Sequence, residues 1–430
     1  MVLSLAALHD PSTRFPQPPS IKGNRRDSLE GEMSRGEENA SGSILPRDNL
    51  KIEPSPWKGT KRRRLLIVTP RYLPYMGGVE KHVFETASRL ASAGFDVTVL
   101  TTAPGNTLPA LEKIEGVNIH RVPAWPANRD YYIAPEIYKV ITNGSWDLVH
   151  VQSYHTFVAP IAMAAALRAN IPYLVTFHGG GHTSRLRNLV RGAQHIALRP
   201  LLLRAERLVA VARFEIDFFS ARLRIPRKKF VLIPNGADLI RRESCAAPEK
   251  EGVLIASIGR LERYKGHHKI IAALPYVLEQ QPDARLWIAG TGPYEKYLRD
   301  LAERLGLSER VDIRAIPISE RARMAAEVSK ADLVMLMSEY ETHPIAVLEA
   351  AALGRPVLVA DSPGLRELAA EGLARSIPIH SEPQTLASAI LRILHEPFVP
   401  RAVQLPTWDD CARELSALYL ECMRREICGS

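Results

Sequence analysis

Two cationic side chains stand five positions apart in the segment Gly259–Gly266, directly after a short apolar run. Arg260 offers a planar guanidinium that can bond two oxygens at once, and Lys265 offers a compact ammonium. With a glycine at each end of the segment, this pair could hold one diphosphate. Surface Arg and Lys side chains often bind nothing specific, so the prediction depends on the position of the segment at the end of a strand.

Two carboxylates, Glu341 and Glu349, follow another apolar run. Pro344 suits the first position of a helix, which leaves Glu341 in the preceding loop and Glu349 within the second helical turn. Carboxylates placed in this way can accept hydrogen bonds from sugar or ribose hydroxyls, while the helix N-terminus faces an anion. The alternative is an acid that balances the helix dipole and a solvated glutamate.

Two further pairs of glycines precede helical patterns. Gly77 and Gly78 could bring bare amides and a helix dipole to an anion, although a tight strand-to-helix turn would also explain them. Gly290 and Gly292 lie in GTGPYE, and Asp312 stands about where a dinucleotide fold has its ribose-binding acid. The third glycine of that fingerprint is missing, so a nicotinamide-dependent dehydrogenase is only a minor hypothesis.

The elements that position these residues alternate between strand and helix. Short runs rich in Val and Ile are mostly separated by helix-length segments, which is typical of a parallel sheet covered on both faces. The predicted strands of the first unit are LLIVT, DVTVLTT, DLVHVQS, PYLVTFHGG, RLVAVAR and FVLIPNG. Those of the second unit are GVLIASIG, ARLWIAG, RVDIRAI, ADLVMLM and RPVLVAD, and the polar stretch RRESCAAPEKEG separates the two units.

The predicted fold class is therefore α/β, with two doubly wound, Rossmann-like parallel sheets that face a cleft. Residues 1–60 lack apolar periodicity and are predicted to be a disordered extension. Residues 61–240 and 241–400 would form the two sheet domains. Residues 401–430 contain a last amphipathic helix. In open parallel sheets ligands bind beyond the carboxyl ends of the strands, so the cleft is the expected site.

Composition excludes several classes of protein. The chain has 430 residues, 46% of them hydrophobic, and no apolar run approaches the ~18 residues that a bilayer span requires. Its four cysteines show no C-x-x-C spacing, so neither a disulfide framework nor a thiolate zinc site is indicated. A cytoplasmic location fits these features, with peripheral association at the inner face of the membrane as a further expectation.

The net charge of +9 is concentrated in one segment. Residues 185–229 hold 12 basic and 3 acidic residues, which matches the whole surplus. HTSRLRNLVRGAQHIALR, residues 182–199, overlaps this segment and could form a helix with Arg on one side and apolar residues on the other, broken at Pro200 and suited to an anionic membrane surface. Solvated arginines around a buried helix explain the pattern equally well. Nucleic acid is not expected as a partner, because the run lacks interleaved aromatic residues.

Taken together, these motifs resemble those of the retaining nucleotide-sugar glycosyltransferases of family 4, which have the two-domain GT-B architecture. The resemblance covers nearly all of residues 61–425. It is carried by Arg260 and Lys265 followed by Glu341 and Glu349, and by the segments PYMGGVEKHVFETASRLASAGFDVTVLTT, IPNGAD, GTGP and LEAAALGRPVLVAD. The final helix, which contains Trp408, also fits.

The resemblance implies a role for each matching residue. Arg260 and Lys265 would bind the donor diphosphate, Glu349 the ribose hydroxyls and Glu341 the transferred sugar, with His178 beside that sugar. The catalytic set would be His178, Glu341, Arg260 and Lys265. The residues expected around the donor are Gly77, Gly78, Gly259, Arg260, Lys265, Gly290, Gly292, Glu341, Thr342, His343, Pro344, Ile345 and Glu349.

The reaction implied is transfer of a sugar from a nucleoside-diphosphate sugar to a saccharide or lipid-linked acceptor, with retention at the anomeric carbon. No cofactor or metal is expected, because the pair His178 and His182 has no evident third ligand and the family acts without a bound metal. The chain departs from the family at Glu341-Thr342-His343-Pro344, where Glu-Gly-Phe-Gly is common, and at Ala315, where glycine is usual. A catalytically silent sugar-nucleotide or membrane-binding module of the same fold is the alternative.

Overall fold

The computed structural model describes residues 62–428, apart from 76, 104–107, 127–131, 155, 180–184, 238–251, 318–319, 399 and 401–404. The predicted extension 1–60 and nearly all of the predicted polar stretch between the two units lie outside the described residues. Among the helices of the described ranges, none is both long enough and apolar enough to cross a bilayer.

In the described part of the chain, eight strands form the first sheet, in the order β3-β4-β2-β1-β5-β6-β7-β8. All neighbours are parallel except β3 and β4, which form an antiparallel edge. The sequence patterns predicted neither of these two strands, and β3 has an exposed, charged sequence without alternation. The strands are β1 (Arg64–Val68), β2 (Asp96–Thr102), β3 (Leu111–Ile114), β4 (Val117–Val122), β5 (Leu148–Gln152), β6 (Tyr173–Thr176), β7 (Arg207–Ala210) and β8 (Phe230–Leu232).

Helices cover both faces of this sheet. The crossover helices are α1 (Gly78–Ser92), α2 (Glu136–Asn143), α3 (Val158–Arg168), α4 (Arg185–Arg204) and α5 (Arg213–Leu223). The predicted break at Pro200 is wrong, because α4 continues through this residue to Arg204. Leu198 and Leu202 are buried on either side of Pro200, and this apolar burial holds the helix together where one backbone hydrogen bond is lost.

The second sheet has six described strands, all parallel, in the order β11-β10-β9-β12-β13-β14. They are β9 (Leu254–Ile258), β10 (Arg285–Ala289), β11 (Val311–Ile313), β12 (Leu333–Leu336), β13 (Val357–Ala360) and β14 (Arg375–Ile377), the last of which was not predicted. The helices are α6 (His267–Leu278), α7 (Glu295–Arg304), α8 (Arg321–Lys330), α9 (Ile345–Ala352), α10 (Pro363–Ala370) and α11 (Pro383–His395).

The last helix, α12 (Trp408–Cys428), packs on the first sheet and not on the second. Trp408 and Tyr419 are buried in one apolar cluster with residues of α1, β1 and β2. Just before α12, Thr407 pairs with Ala237, so the two chain segments that connect the sheets run side by side. The model thus confirms the predicted fold class of two doubly wound parallel-sheet domains.

Strand order reverses at one point in each sheet, between β1 and β5 in the first and between β9 and β12 in the second. At such a point the connections leave toward opposite faces and open a crevice at the carboxyl ends of the strands. The loops that follow β9 and β12 carry the predicted cationic pair and the predicted carboxylates. Topology therefore indicates a site at these two loops.

Candidate functional site

The loops after β9 and β12 are bonded to each other. Gly266 has a φ of 74°, in the left-handed region that favours glycine, and a side chain there would collide with the carbonyl group of Met337. The backbone N–H of Glu339 donates to the carbonyl oxygen of Tyr264 at 2.8 Å. Glycine at position 266 thus allows the first loop to lie directly against the end of β12.

Lys265 and Glu341 meet where the two loops touch. The Lys265 Nζ lies 2.5 Å from Glu341 Oε1, and Ser338 Oγ donates to the same oxygen at 2.8 Å. Both charged side chains are largely buried, with 16% and 11% of their surfaces exposed. Burial by itself would lower the pKa of Lys265, but the adjacent Glu341 carboxylate raises it above its usual value. The ammonium is therefore charged and its position is fixed.

Arg260 lies beside this pair and is half exposed. Its Nη2 donates to the Tyr264 hydroxyl at 2.8 Å, and its Nη1 is 2.9 Å from Glu262 Oε1. The buried His267 supports the backbone of the loop: its Nε2 donates to the Arg260 carbonyl oxygen at 3.2 Å, and its Nδ1 accepts from Ser257 Oγ at 2.8 Å. Burial lowers the pKa of His267 to about 4, so the ring is neutral.

The loop after β10 packs beneath the Arg260 loop. A Cβ on Gly290 would lie 3.0 Å from the carbonyl carbon of Gly259 and closer still to its oxygen. A Cβ on Gly292 would lie 2.9 Å from the backbone nitrogen of Leu261. Gly290 and Gly292 were predicted to face the donor. A side chain at either position would collide with backbone atoms, so packing alone favours glycine there. A Cβ on Gly259 itself would find only ordinary contacts, 3.7 Å or more away.

Gly77 and Gly78 stand at the start of α1, as the sequence predicts. Gly77 precedes the helix and Gly78 is its first residue. No heavy atom lies within 4 Å of a Cβ built on Gly78, so this helix N-terminus opens onto space. In the first turn of α1, burial raises the pKa of Glu80, and the charge of Arg260 from the other sheet domain acts against that shift. The start of α1 therefore lies near the cationic loop.

His178 lies at the carboxyl edge of the first sheet, just after β6. Its Nε2 donates to Gln152 Oε1 at 2.8 Å, and its ring contacts the ring of His82 edge to face, with centroids 4.9 Å apart. The backbone of the next residue is bonded to a buried glutamate: the Gly179 N–H donates to Glu215 Oε1 at 2.9 Å. Glu215 is fully buried, and this burial raises its pKa to about 8.

Glu349 joins the two sheet domains in this structure. Its Oε1 lies 2.5 Å from Lys81 Nζ of α1 and 3.5 Å from Arg321 Nη2 of α8. Arg321 also contacts Glu85 of α1 at 2.7 Å. Burial lowers the pKa of Lys81, and Glu349 is the main influence that raises it. The carboxylate that was predicted to bind ribose is thus engaged by a lysine from the opposite sheet domain.

Of the four residues that follow Glu341, His343 and Ile345 contact the first sheet domain. His82 Nδ1 donates to Asn235 Oδ1 at 2.9 Å, and Asn235 Nδ2 donates to the His343 carbonyl oxygen at 3.0 Å. Burial lowers the pKa of His343 to about 4. Pro344 precedes α9 and has no N–H to offer, and the carbonyl oxygen of Thr342 lies against Gly364.

The side chain of Ile345 is buried in the apolar cluster that contains Trp408 and residues of the first sheet. Any contact between Ile345 and a ligand would therefore involve its backbone. The helix begins at this residue, one position later than predicted, and Glu349 lies in its second turn as expected.

Several residues at the junction were not predicted from the sequence. Lys81 and Asn235 belong to segments already singled out, GGVEK and IPNG, and could have been considered there. Arg321 and Glu215 carry no local signal, because the carboxylates that Arg321 contacts lie 28 and 236 positions away and Glu215 accepts from backbone N–H groups. Of the two histidines considered and rejected as a metal pair, His182 lies outside the described residues. Among the described residues, no cluster of three or more His, Cys, Asp or Glu side chains could hold a metal ion.

Comparison with family models gives two adjacent matches. Residues 76–241 match the model described as Glycosyltransferase Family 4, and residues 241–405 match the model described as Glycosyl transferases group 1. Together the two matches cover every strand of both sheets except β1, which ends at Val68. Their boundary falls at residue 241, in the connection between β8 and β9.

Individual proteins are similar to this chain over most of their length. A glycogen synthase of Mycobacterium tuberculosis is 27% identical over 400 residues, which cover 84% of this chain and 96% of that protein. The structure of sucrose-phosphate synthase from Thermosynechococcus elongatus has a TM-score of 0.65 at 21% identity, covering 86% of this chain and all of that one. Anabaena HepE in complex with UDP-glucose has a TM-score of 0.61 at 20% identity, covering 84% and 97%.

Proposed function

Since this chain belongs to the glycosyltransferases of the family 4 type with a GT-B fold, we propose that it transfers a sugar from a nucleoside-diphosphate sugar to a hydroxyl of a saccharide or lipid-linked acceptor, with retention at the anomeric carbon. The observation that carries this proposal is the meeting of Lys265 and Glu341 at the switch point of the second sheet. An ammonium fixed there suits a diphosphate, and a carboxylate suits sugar hydroxyls.

The donor diphosphate would lie between Arg260, Lys265 and the N-terminus of α1. Arg260 and Lys265 would supply two positive charges from the second sheet domain, and the backbone amides at the open start of α1 would face the diphosphate from the first. Neutralising a diphosphate in this way requires no metal ion. Lys265 and Ser338 both donate to Oε1 of Glu341, so Oε2 is the atom that would accept from a sugar hydroxyl.

Transfer would break the bond between the anomeric carbon and the diphosphate oxygen and form a bond from the acceptor oxygen to the same carbon. The proton of the acceptor hydroxyl would pass to the departing phosphate oxygen, on the face from which the acceptor attacks. Arg260 and Lys265 would stabilise the negative charge that develops on the leaving group, which is the main catalytic contribution expected of such a site. His178 would lie beside the sugar and position it.

UDP is the first nucleotide to test, because HepE is described in complex with UDP-glucose. We expect UDP to raise the melting temperature of the wild type and GDP or ADP to raise it less. Lys265→Ala should abolish most of the rise, since it removes a buried positive charge from the phosphate site. Lys296→Ala is the matched control, because this lysine lies on α7 with 86% of its side chain exposed.

Equal UDP-induced shifts in the Lys265→Ala and Lys296→Ala proteins would contradict the assigned phosphate site. Catalysis is tested separately with radiolabelled UDP-glucose and a panel of saccharide and lipid-linked acceptors. Glu341→Gln should reduce transfer by roughly a hundredfold or more, as expected when a transition-state contact is lost. NMR of the product would report retention, and an inverted anomeric signal would refute that part of the proposal.

A catalytically silent module remains the second candidate, because of the segment Thr342-His343-Pro344. Pro344 removes one backbone donor at the start of α9, which faces the proposed donor. If the wild type binds UDP but neither transfers nor hydrolyses UDP-glucose, this second candidate is supported. A variant with Thr342→Gly, His343→Phe and Pro344→Gly together would then be expected to gain activity.

A further inference from the structure

An apolar groove lies on the outer surface of helices α2–α4, and the proposed reaction does not use it. Its volume is about 670 Å³, and apolar atoms form almost the whole of its lining. Tyr138 and Lys139 of α2 line one side, Phe157 and Ile161 at the start of α3 line another, and Leu201 of α4 closes it. Helices α2–α5 form a layer on one face of the first sheet, whereas α1 and α12 cover the other face.

Three aromatic side chains at this groove are exposed to solvent. Phe157 is 52% exposed, Tyr138 39% and Trp125 71%. Trp125 belongs to the same surface because its backbone pairs with that of Ile133, which also lines the groove. Single exposed apolar residues are ordinary, but a groove with three exposed rings around it is typical of a binding surface. Trp and Tyr are also the residues enriched where proteins meet the bilayer interface.

The helix layer α2–α5 that carries the groove has an excess of exposed basic residues. Among the described side chains of α2–α5, exposed bases outnumber exposed acids by six to two. The bases are Lys139, Arg168, Arg199, Arg204, Arg213 and Arg222, and the acids are Glu136 and Asp217. The bases are spread over all four helices. An extended anionic surface would complement this distribution, whereas a single partner helix in the groove would contact only a few of them.

We propose that the α2–α5 layer docks on an anionic lipid bilayer, with the exposed rings of Trp125, Tyr138 and Phe157 at the level of the lipid headgroups and the groove over the acyl chains. Apolar insertion and attraction to anionic lipids add together in such docking. Phe157 follows β5 closely and therefore lies toward the carboxyl edge of the first sheet. Docking there would hold that edge near the membrane, whether or not the proposed transfer occurs.

Vesicle co-sedimentation of the full chain tests the proposal. We expect binding to vesicles of phosphatidylcholine with 30% phosphatidylglycerol, loss of most binding above about 0.5 M salt, and little binding to pure phosphatidylcholine. Phe157→Asp should weaken binding by about tenfold or more, because it places a charge at the groove. Leu111→Asp is the matched control, since Leu111 is 72% exposed on the edge strand β3.

Fluorescence supplies a readout that does not depend on the stability of a groove variant. Lipids brominated near the headgroup should quench tryptophan emission of the bound wild type, and Trp125→Phe should remove most of that quenching. The proposal is overturned if the wild type does not bind anionic vesicles at low salt, or if Leu111→Asp weakens binding as much as Phe157→Asp does. A wild-type dimer that Phe157→Asp converts to a monomer would identify a second copy of the chain as the occupant instead.

Discussion

Replacement of Gly290 by alanine would separate glycines needed for packing from glycines needed for a ligand. A methyl group at this position would lie 3.0 Å from the Gly259 carbonyl carbon and closer to its oxygen, where ordinary Cβ contacts begin at 3.4 Å. The obstacle is backbone at the end of β9 and not the end of a flexible side chain. The loop after β10 or the Arg260 loop must therefore move.

Overpacking of this kind costs roughly 1–3 kcal/mol. For a domain of this size, each kcal/mol lowers the melting temperature by roughly 2–4 °C, so Gly290→Ala should lower it by about 2–12 °C. Gly78→Ala is the comparison variant. No atom lies within 4 Å of its new methyl group, and alanine suits a helix at least as well as glycine does. Its stability should stay within about 0.5 kcal/mol of wild type.

For UDP affinity we expect the reverse: Gly78→Ala should weaken binding more than Gly290→Ala does. The Gly78 methyl group would enter the space proposed for the diphosphate, so the affinity for UDP should fall by about tenfold. Scanning calorimetry measures the stabilities and isothermal titration calorimetry the affinities. A Gly290→Ala protein as stable as wild type would refute the packing argument. A Gly78→Ala protein that binds UDP normally would refute the placement of the diphosphate at α1.

Two further predictions concern buried charges. Burial raises the pKa of Glu215 to about 8, so the folded chain retains a proton that the unfolded chain releases. Stability should therefore decline as pH rises from about 4.5 to 8, and Glu215→Gln, unlike the exposed control Asp217→Asn, should flatten this decline in thermal melts at several pH values. Lys81→Met and Glu349→Gln should each destabilise the chain by about 1–3 kcal/mol, and the double variant by clearly less than their sum. An additive double variant would show that the two side chains do not interact.

Much of the fold can be predicted from the sequence because its signals are local. Apolar runs of four to seven residues, rich in Val and Ile, mark the strands that lie buried between helices. β3 and β14 carry no such signal, since β3 is exposed and two of the three residues of β14 are exposed. Their place in the sheet depends on a neighbouring strand. The continuation of α4 through Pro200 likewise depends on burial of Leu198 and Leu202, which the residue order does not reveal.

For the site, residue order alone predicts which residue types stand at the strand ends. Arg260, Lys265 and Glu341 lie in the loops where their spacing from the apolar runs places them. Which of these side chains touch depends on how the chain folds. The Lys265–Glu341 ion pair joins residues 76 positions apart, and it forms because β9 and β12 are neighbours at the switch point of the sheet.

Contacts between the two sheet domains also cannot be predicted from spacing along the chain. The sequence placed Glu349 on a helix near a ligand edge, but the packing of α1 against α9 brought Lys81 to its carboxylate, 268 positions away. Spacing along the chain determines secondary structure because backbone hydrogen bonds and side-chain periodicity are local. Ion pairs and close contacts between loops depend on strand order and on how two sheets face each other, and these are properties of the folded chain alone.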